Sequence, residues 1–93
     1  MKRQADILRI TDARICGPHS LQLTFNDGVR KQVNVLPLLR GPIFEALRDP
    51  SYFARGRLDS VVGTVVWPNG ADFAPEALRA LKDERAPARS PSR

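Results

Sequence analysis

The sequence predicts one small α+β domain: a small antiparallel sheet of hairpins, with about five short strands, packed with two or three short helices. The chain has 93 residues, which is enough for one hydrophobic core. Its β-rich runs are short and end at isolated glycines, which favours hairpins. Prolines divide the middle of the chain into segments too short for long helices.

Domain organisation follows from a change of composition near the C-terminus. Residues 1–82 carry the alternating and helical apolar patterns, and we expect them to form the single domain. Residues 83–93 have Ala as their only apolar residue type, together with two prolines and two serines. Such a segment buries too little apolar surface to offset the entropy of ordering it, so we expect a disordered polar tail.

The first two predicted strands lie near the N-terminus. Residues 7–15 are rich in β-branched and aliphatic side chains that alternate imperfectly, which indicates one strand able to hold a bulge. Residues 20–25 alternate cleanly, with Leu21, Leu23 and Phe25 on one face and polar side chains on the other. This alternation is typical of a half-buried strand in an antiparallel sheet.

Register selects the turn that follows the second strand. A two-residue loop at residues 27–28 would place polar side chains opposite apolar ones on the same face. A three-residue loop at residues 26–28, with Gly28 in the left-handed conformation, removes most of that conflict. Lys31 is the one misfit, and we expect its stem to lie along apolar surface with the ammonium in water. The predicted cross-strand pairs are Phe25–Val29, Leu23–Lys31 and Leu21–Val33.

Proline and capping signals place the remaining elements. Pro42 stands at the first position of a predicted helix, where its missing N–H costs nothing. Asp49 precedes Pro50 and is a good N-cap for another helical turn. The predicted elements are helical segments within residues 41–48 and 49–54, short strands at 57–59 and 64–67, and a last helix at 75–82.

The most distinctive segment is TVVWPNGADFAPEAL at residues 64–78. Trp67 continues the strand alternation and is interpreted as a core anchor, with an exposed stacking platform or binding hot spot as the alternative. Pro68 fits the second position of a type I or type II turn, and Asn69 tolerates the left-handed conformation that type II requires. Asp72 either caps the last helix or bonds back into the turn.

The sequence contains no set of residues typical of an active site. Cys16 and His19 are the only cysteine and histidine, too few for a disulfide or a four-ligand zinc site within one chain. We interpret Cys16 as a small residue that is buried or half buried, and His19 as an exposed turn residue, because no orienting group or oxyanion-hole signature accompanies them. The acidic residues form no acid–base constellation, and the glycines form no phosphate loop. We therefore expect no catalytic residue, metal site or cofactor.

The net charge of +5 is spread along the chain. Residues 1–20, 21–60 and 61–93 carry excesses of two, two and one positive charges. An even excess indicates a mildly basic solvated surface, although twelve of the fifteen basic residues are Arg, which suits phosphate groups. No apolar run approaches the roughly 18 residues of a membrane helix, and the N-terminus has no apolar signal core. We expect a soluble cytoplasmic protein that binds no membrane.

Four segments together resemble a known family. They are FNDG at 25–28, PLL at 37–39, F…LRDP…F at 44–53 and GTVVWPNGAD at 63–72. In this order they are similar to the bacterial family known as domain of unknown function 2442, over roughly residues 7–81. The resemblance implies a small α+β domain without an established activity, in many cases encoded beside another small protein in a toxin–antitoxin-like pair. Ala74 stands where family members often have a polar capping residue, which implies that Asp72 takes over the capping.

These observations favour a non-enzymatic protein-binding module. We expect its partner to be a small co-encoded protein, bound in an antitoxin-like way at a sheet face or an exposed strand edge. A nucleic-acid-binding accessory or regulatory module is the alternative, because the sequence pI is about 10.4. The oligomeric state is not predicted. The candidate interaction residues are Trp67, Asn69, Asp72, Arg30, Lys31, Arg55 and Arg57.

Overall fold

The computed structural model describes residues 7–85, and its elements confirm the α+β class. This part of the chain has two antiparallel sheets with five strands in all, and three short helices. None of these helices is long and apolar enough to cross a membrane. The strands are β1 (Ile10–Ile15), β2 (Ser20–Phe25), β3 (Arg30–Asn34), β4 (Arg57–Asp59) and β5 (Thr64–Val66). The helices are α1 (Pro42–Glu45), α2 (Pro50–Phe53) and α3 (Pro75–Ala80), and 3₁₀ turns cover Leu36–Leu38 and Ala46–Arg48.

The β2–β3 hairpin has the predicted three-residue loop. The Phe25 amide donates to the Val29 carbonyl over 2.9 Å, and Gly28 has a φ of +90°. Because the loop sets the register, the apolar side chains of β2 all point into the core, where they are buried. The observed register confirms the predicted pairs Leu21–Val33 and Leu23–Lys31.

β1 begins at Ile10 rather than at residue 7, because the loop residue Asn26 takes over the pairing of the preceding segment. Asn26 Oδ1 accepts the Arg9 amide over 3.1 Å, and the Asn26 amide donates to the Arg9 carbonyl over 2.9 Å. The register of β1 against β2 shifts between Ile10 and Asp12. Thr11 is therefore the extra residue of a bulge, as the imperfect alternation predicted.

β4 and β5 form a second, smaller sheet that is tied to β1. The Ile10 amide donates to the Gly63 carbonyl over 2.9 Å, next to the start of β5. On the other side of β5, a single antiparallel bridge joins Val66 to Asp72. The second sheet thus lies against the beginning of β1 and leaves the rest of that strand to the first sheet.

Side chains from both sheets and from the helices form one buried cluster around Trp67. The Trp67 ring packs against the rings of Phe53 and Phe73, with centroid separations of 5.3 and 5.6 Å. Thr64 Oγ1 donates to the Phe73 carbonyl over 2.7 Å, which satisfies one buried polar group. The buried apolar residues are Ile10, Leu21, Leu23, Phe25, Val33, Val35, Leu39, Leu47, Phe53, Val65, Trp67, Ala71, Phe73 and Leu78.

The two capping predictions have opposite outcomes. Asp49 caps α2 as expected, since its Oδ1 accepts the Ser51 amide over 3.0 Å. The Ser51 hydroxyl and then this amide lower the pKa of Asp49. The prediction that Asp72 caps the last helix was wrong, because the N-cap of α3 is Ala74 and no side chain bonds there. Asp72 is instead held in the bridge to β5, two positions before that cap.

The ammonium of Lys31 lies against the end of α3 rather than in water, so that prediction was wrong. Its Nζ donates to the carbonyls of Arg79, over 2.5 Å, and of Leu81. The last carbonyls of a helix have no partner within the helix, and α3 ends at Ala80, before the predicted residue 82. A cation is also favoured at a helix C-terminus. Lys31 therefore fastens α3 to the sheet.

Candidate functional site

Beyond Ile10, the edge of β1 that faces away from β2 pairs with no strand of the described residues. The Cys16 amide donates to the Ser20 carbonyl over 3.0 Å, and the bonded pairs alternate along the antiparallel ladder from there. This alternation turns the N–H and C=O groups of Ala13 and Ile15 away from β2. No hydrogen bond among residues 7–85 uses these four groups. They form a short row of donors and acceptors open to another strand.

The open stretch comprises residues 11–15, and its two faces differ in chemistry. Asp12 and Arg14 are exposed on the face that looks away from the core. Ala13 and Ile15 are half buried and pack against the edge of the core. Because side chains alternate along a strand, an added strand would meet charged groups on one face and apolar groups on the other.

The opposite edge of the same sheet, along β3, is covered by the end of the described chain. The Gln32 carbonyl accepts the Glu84 amide over 2.7 Å, and the Gln32 amide donates to Asp83 Oδ1 over 3.3 Å. Arg85 Nη2 donates to the Arg30 carbonyl over 3.1 Å. These contacts occupy main-chain groups of β3, whereas no residue within 7–85 bonds to the outward groups of Ala13 and Ile15 in β1.

The predicted polar tail begins with these covering residues. Residues 83–85 are hydrogen-bonded to the domain as described above, and residues 86–93 lie outside the described residues. The Arg85 guanidinium, 3.1 Å from Asp83 Oδ2, holds the pKa of the Asp83 carboxyl well below its usual range. The contribution of this contact to stability is therefore complete above the ordinary carboxyl pKa of about 3.9 and is lost as the pH falls below it.

The face of the first sheet that looks away from the core holds a shallow depression of about 260 Å³. Three arginines and one aspartate give it a positive character, which suits a carboxylate or a phosphate. With a single carboxylate it cannot supply the acid–base pair that general acid–base catalysis uses. The depression is lined by Asp12 and Arg14 of β1, Gln22, Leu23 and Thr24 of β2, Arg30 of β3, and Arg85.

The tip of the β4–β5 hairpin carries exposed apolar side chains near the start of β1. Val61 and Val62 are 86% and 51% exposed. Asp59 Oδ1 accepts both of their amides, over 2.9 and 3.1 Å, so the tip has a fixed conformation. Because Gly63 bonds to Ile10, the tip lies at the end of β1 where the open stretch begins.

Trp67 is a core residue, which confirms the first interpretation of the distinctive segment. Its side chain is 3% exposed, and Nε1 donates to the Phe53 carbonyl over 2.9 Å. Both the ring and its one polar group are therefore engaged inside the domain, and no ring face is left for a partner.

Asn69 holds a turn together and joins it to α1. Its Oδ1 accepts the Ala71 amide over 3.0 Å, and its Nδ2 donates to the Ile43 carbonyl over 2.9 Å. Gly70 has a φ of +90° whereas Asn69 has no positive φ, so the turn is type I rather than type II. The Asp72 side chain, next to this turn, is exposed.

The four basic candidates do not form one patch. Arg30 lines the depression, and the Lys31 ammonium is engaged at the end of α3. The guanidinium of Arg55 lies over the Tyr52 ring, 5.3 Å from its centroid. Arg57 is exposed on β4, in the other sheet. Only Arg30 therefore lies with other arginines around a common depression.

Cys16 and His19 have the reverse of the predicted exposures. Cys16 is exposed rather than half buried, and desolvation followed by the nearby Glu84 carboxylate raises the pKa of its thiol. A raised pKa disfavours the reactive thiolate. His19 is half buried rather than exposed, because its Nε2 donates to the Arg48 carbonyl over 2.7 Å. Within residues 7–85, no three His, Cys, Asp or Glu side chains group in a way that could hold a metal ion.

Sequence reasoning anticipated an exposed strand edge but did not name the residues that form it, 11–15. A usable signal exists, because β1, β2 and β3 are joined by short turns and strands joined in this way pair in chain order. That order leaves the first strand at an edge. Which residues of β1 turn their N–H and C=O groups outward depends in addition on the hydrogen-bonded register between β1 and β2. The sequence specifies this register only once the turn after β1 is known.

Residues 10–84 match the family described as "Protein of unknown function (DUF2442)". The matched range starts at the first residue of β1 and reaches Glu84, so it includes both the open edge and part of the segment that covers β3. Comparisons with curated proteins and with solved structures gave no match.

Proposed function

The chain belongs to the DUF2442 family of proteins of unknown function, and on that premise we propose that it is a non-enzymatic protein-binding module. It captures an extended segment of a partner protein by strand addition along β1. The observation that carries the proposal is the row of N–H and C=O groups at Ala13 and Ile15, which have no hydrogen-bond partner in the described part of the chain. In this mode of recognition the main-chain bonds supply affinity and the alternate side chains supply specificity.

The contrast between the two edges of the sheet supports this role. Free edges promote aggregation, and proteins usually block them with bulges, prolines, charges or covering segments; of these devices β1 has a bulge at Thr11 and two charged side chains but no hydrogen-bonded covering segment among the described residues. In this chain Glu84 and Arg85 bond to outward main-chain groups of β3, whereas no described residue bonds to those of Ala13 and Ile15 in β1. The half-buried Ala13 and Ile15 add apolar surface that a partner strand would cover.

The partner that we propose is a small protein encoded beside this chain, which the module neutralises in an antitoxin-like way in the bacterial cytoplasm. The family resemblance supports such a pairing, since relatives look to be encoded beside another small protein. A protein partner also agrees with the shallow depression and its single carboxylate, which suit surface contact better than enclosure of a substrate.

Ala13→Pro tests the proposal. Proline removes an amide that faces away from β2, so the ladder to β2 keeps its bonds, and proline is tolerated at such edge positions of a sheet. The ring also blocks an approaching strand. We expect the tagged wild-type chain to capture a protein from a lysate of the native organism, and Ala13→Pro to capture roughly tenfold less or weaker still.

The matched control is Ala13→Thr, which keeps the outward amide and favours a strand, and which we expect to retain capture. Circular dichroism and thermal unfolding establish that each variant is folded. Equal capture by wild type and folded Ala13→Pro would contradict the proposal, as would the absence of any stable partner of the wild-type chain.

Nucleic-acid binding is the second candidate, because Arg14, Arg30 and Arg85 line one depression. It requires affinity for DNA or RNA duplexes that falls steeply with added salt and with Arg14→Ala or Arg30→Ala. Binding that is undetectable at low ionic strength would reject it. The engaged ammonium of Lys31 and the separate location of Arg57 give this candidate less support than the open edge gives to protein binding.

A further inference from the structure

The open edge of β1 is self-complementary, and we propose that two copies of the chain associate through it as a symmetric dimer. The two β1 strands run antiparallel, with Ala13 of each copy on the two-fold axis. The three-stranded sheet thereby becomes a continuous six-stranded one. This inference uses the same edge as the proposed function but does not depend on the existence of another partner.

The main-chain geometry of β1 fits this axis. Ala13 turns both its N–H and its C=O away from β2. Two antiparallel copies that meet at Ala13 exchange both bonds, which makes a hydrogen-bonded pair of an antiparallel ladder. The next outward-facing residue, Ile15, then lies opposite Thr11 of the other copy. Pairing stops there because the Gly63 carbonyl already occupies the amide of Ile10.

Charge selects this register. A two-fold axis at Ala13 places Asp12 of each copy opposite Arg14 of the other, so two ion pairs form by symmetry. Both side chains are exposed on the same face of the strand, and neither forms an ion pair among residues 7–85. Opposite charges at directly facing positions stabilise an antiparallel pair of strands.

The neighbouring registers lack this complementarity. An axis at Arg14 would place two arginines face to face, and an axis at Asp12 would do the same with two aspartates; like charges in these positions repel. An axis at Ile15 would leave Arg14 opposite the uncharged Cys16. A two-fold axis between two residues would pair residues whose side chains project to opposite faces. Such registers are excluded because facing residues of an antiparallel ladder project to the same side of the sheet.

The dimer also covers apolar surface and has a consequence for function. Ala13 and Ile15 are half buried in a single chain, and the second copy covers part of what remains exposed. With so few bonds and a small contact area, the dimer is weak and reversible. Since it occupies the edge that we assign to partner capture, self-association and capture compete.

Exchange of the two charges tests the register. Asp12→Arg places two arginines on each open edge, and Arg14→Asp places two aspartates there. Each variant alone should weaken the dimer about tenfold or more in sedimentation equilibrium at low ionic strength. The double variant Asp12→Arg/Arg14→Asp should restore the wild-type dissociation constant. An equimolar mixture of the two single variants should dimerise where neither does alone.

Both positions are exposed, so the variants are expected to fold, and the restored double variant is an internal control for folding. A wild-type chain that stays monomeric at millimolar concentration would overturn the dimer, as would single variants that dimerise as the wild type does. Neither result would change the expected capture of a partner by the wild-type chain or the loss of that capture in Ala13→Pro. Failure of the dimer proposal is therefore distinguishable from failure of the proposed function.

Discussion

Trp67→Phe is expected to lower the free energy of unfolding by about 3 kcal/mol. The indole is 3% exposed, and its Nε1 donates to the Phe53 carbonyl over 2.9 Å. Phe removes one of the two hydrogen bonds to that carbonyl, which also accepts the Gly56 amide over 3.1 Å, and leaves part of the space of the larger ring empty. Because domains of this kind are stable by only about 5–15 kcal/mol, the loss is a large fraction of the total.

Urea unfolding followed by circular dichroism measures this loss. The matched control is Val61→Ala, which removes apolar atoms from a side chain that is 86% exposed and should change stability by no more than about 0.5 kcal/mol. If Trp67→Phe cost no more than Val61→Ala, the assignment of the indole to the core would be untenable.

Gly56→Ala is expected to cost about 3 kcal/mol, although it adds a single methyl group. A Cβ at Gly56 would lie 2.6 Å from Cε2 and 2.8 Å from Nε1 of Trp67. The ring cannot move aside easily, because Phe53 and Phe73 pack against it and its Nε1 is hydrogen-bonded. Glycine is thus required here by a close contact and not by an unusual φ.

Two comparisons separate the contact from other effects of replacing glycine. Gly70→Ala adds a methyl group into open space at a φ of +90°, so it should cost only the backbone strain of about 1–2 kcal/mol. In the Trp67→Phe background the smaller ring lacks Cζ2, one of the three atoms nearest to the new Cβ, so Gly56→Ala should cost at least about 1 kcal/mol less than in the wild type. Additive effects in this double-mutant cycle would show that the two positions are not in contact.

Local signals predicted the hairpin loops well. Register and Gly28 together specified the first loop, and the structure repeats the same loop at residues 68–70. There the Trp67 amide donates to the Ala71 carbonyl over 2.9 Å, and Gly70 has the same φ of +90°. Both loops end in a glycine in the left-handed conformation, a requirement that is visible in the sequence because it involves neighbouring residues only.

The predictions that were wrong depended on contacts between distant parts of the chain. Lys31 reaches the carbonyl of Leu81, 50 residues away, and His19 reaches that of Arg48, 29 residues away. Nothing near either residue in the sequence encodes such a partner. Asp72 was predicted to cap the helix because capping involves neighbouring residues only. In the structure its main chain instead forms an antiparallel bridge with Val66 of the second sheet.

The candidate site was predictable in kind but not in place. Composition and the absence of catalytic residues favoured a binding module with an exposed edge. The residues named for it were instead chosen for chemical character, and Trp67 and Lys31 are engaged within the domain. The edge itself consists of main-chain groups at Ala13 and Ile15, whose availability depends on strand order and on which side of β1 is bonded.

Amide hydrogen exchange of β1 tests most directly the claim that this edge is the binding surface. In the dilute, free chain, the amides of Ala13 and Ile15 should exchange at least about tenfold faster than that of Arg14, which bonds to β2. When the captured partner is added, exchange at Ala13 and Ile15 should slow by a similar factor, with little change at Arg14. Protection that arises elsewhere in the domain, with Ala13 and Ile15 unchanged, would contradict the claim.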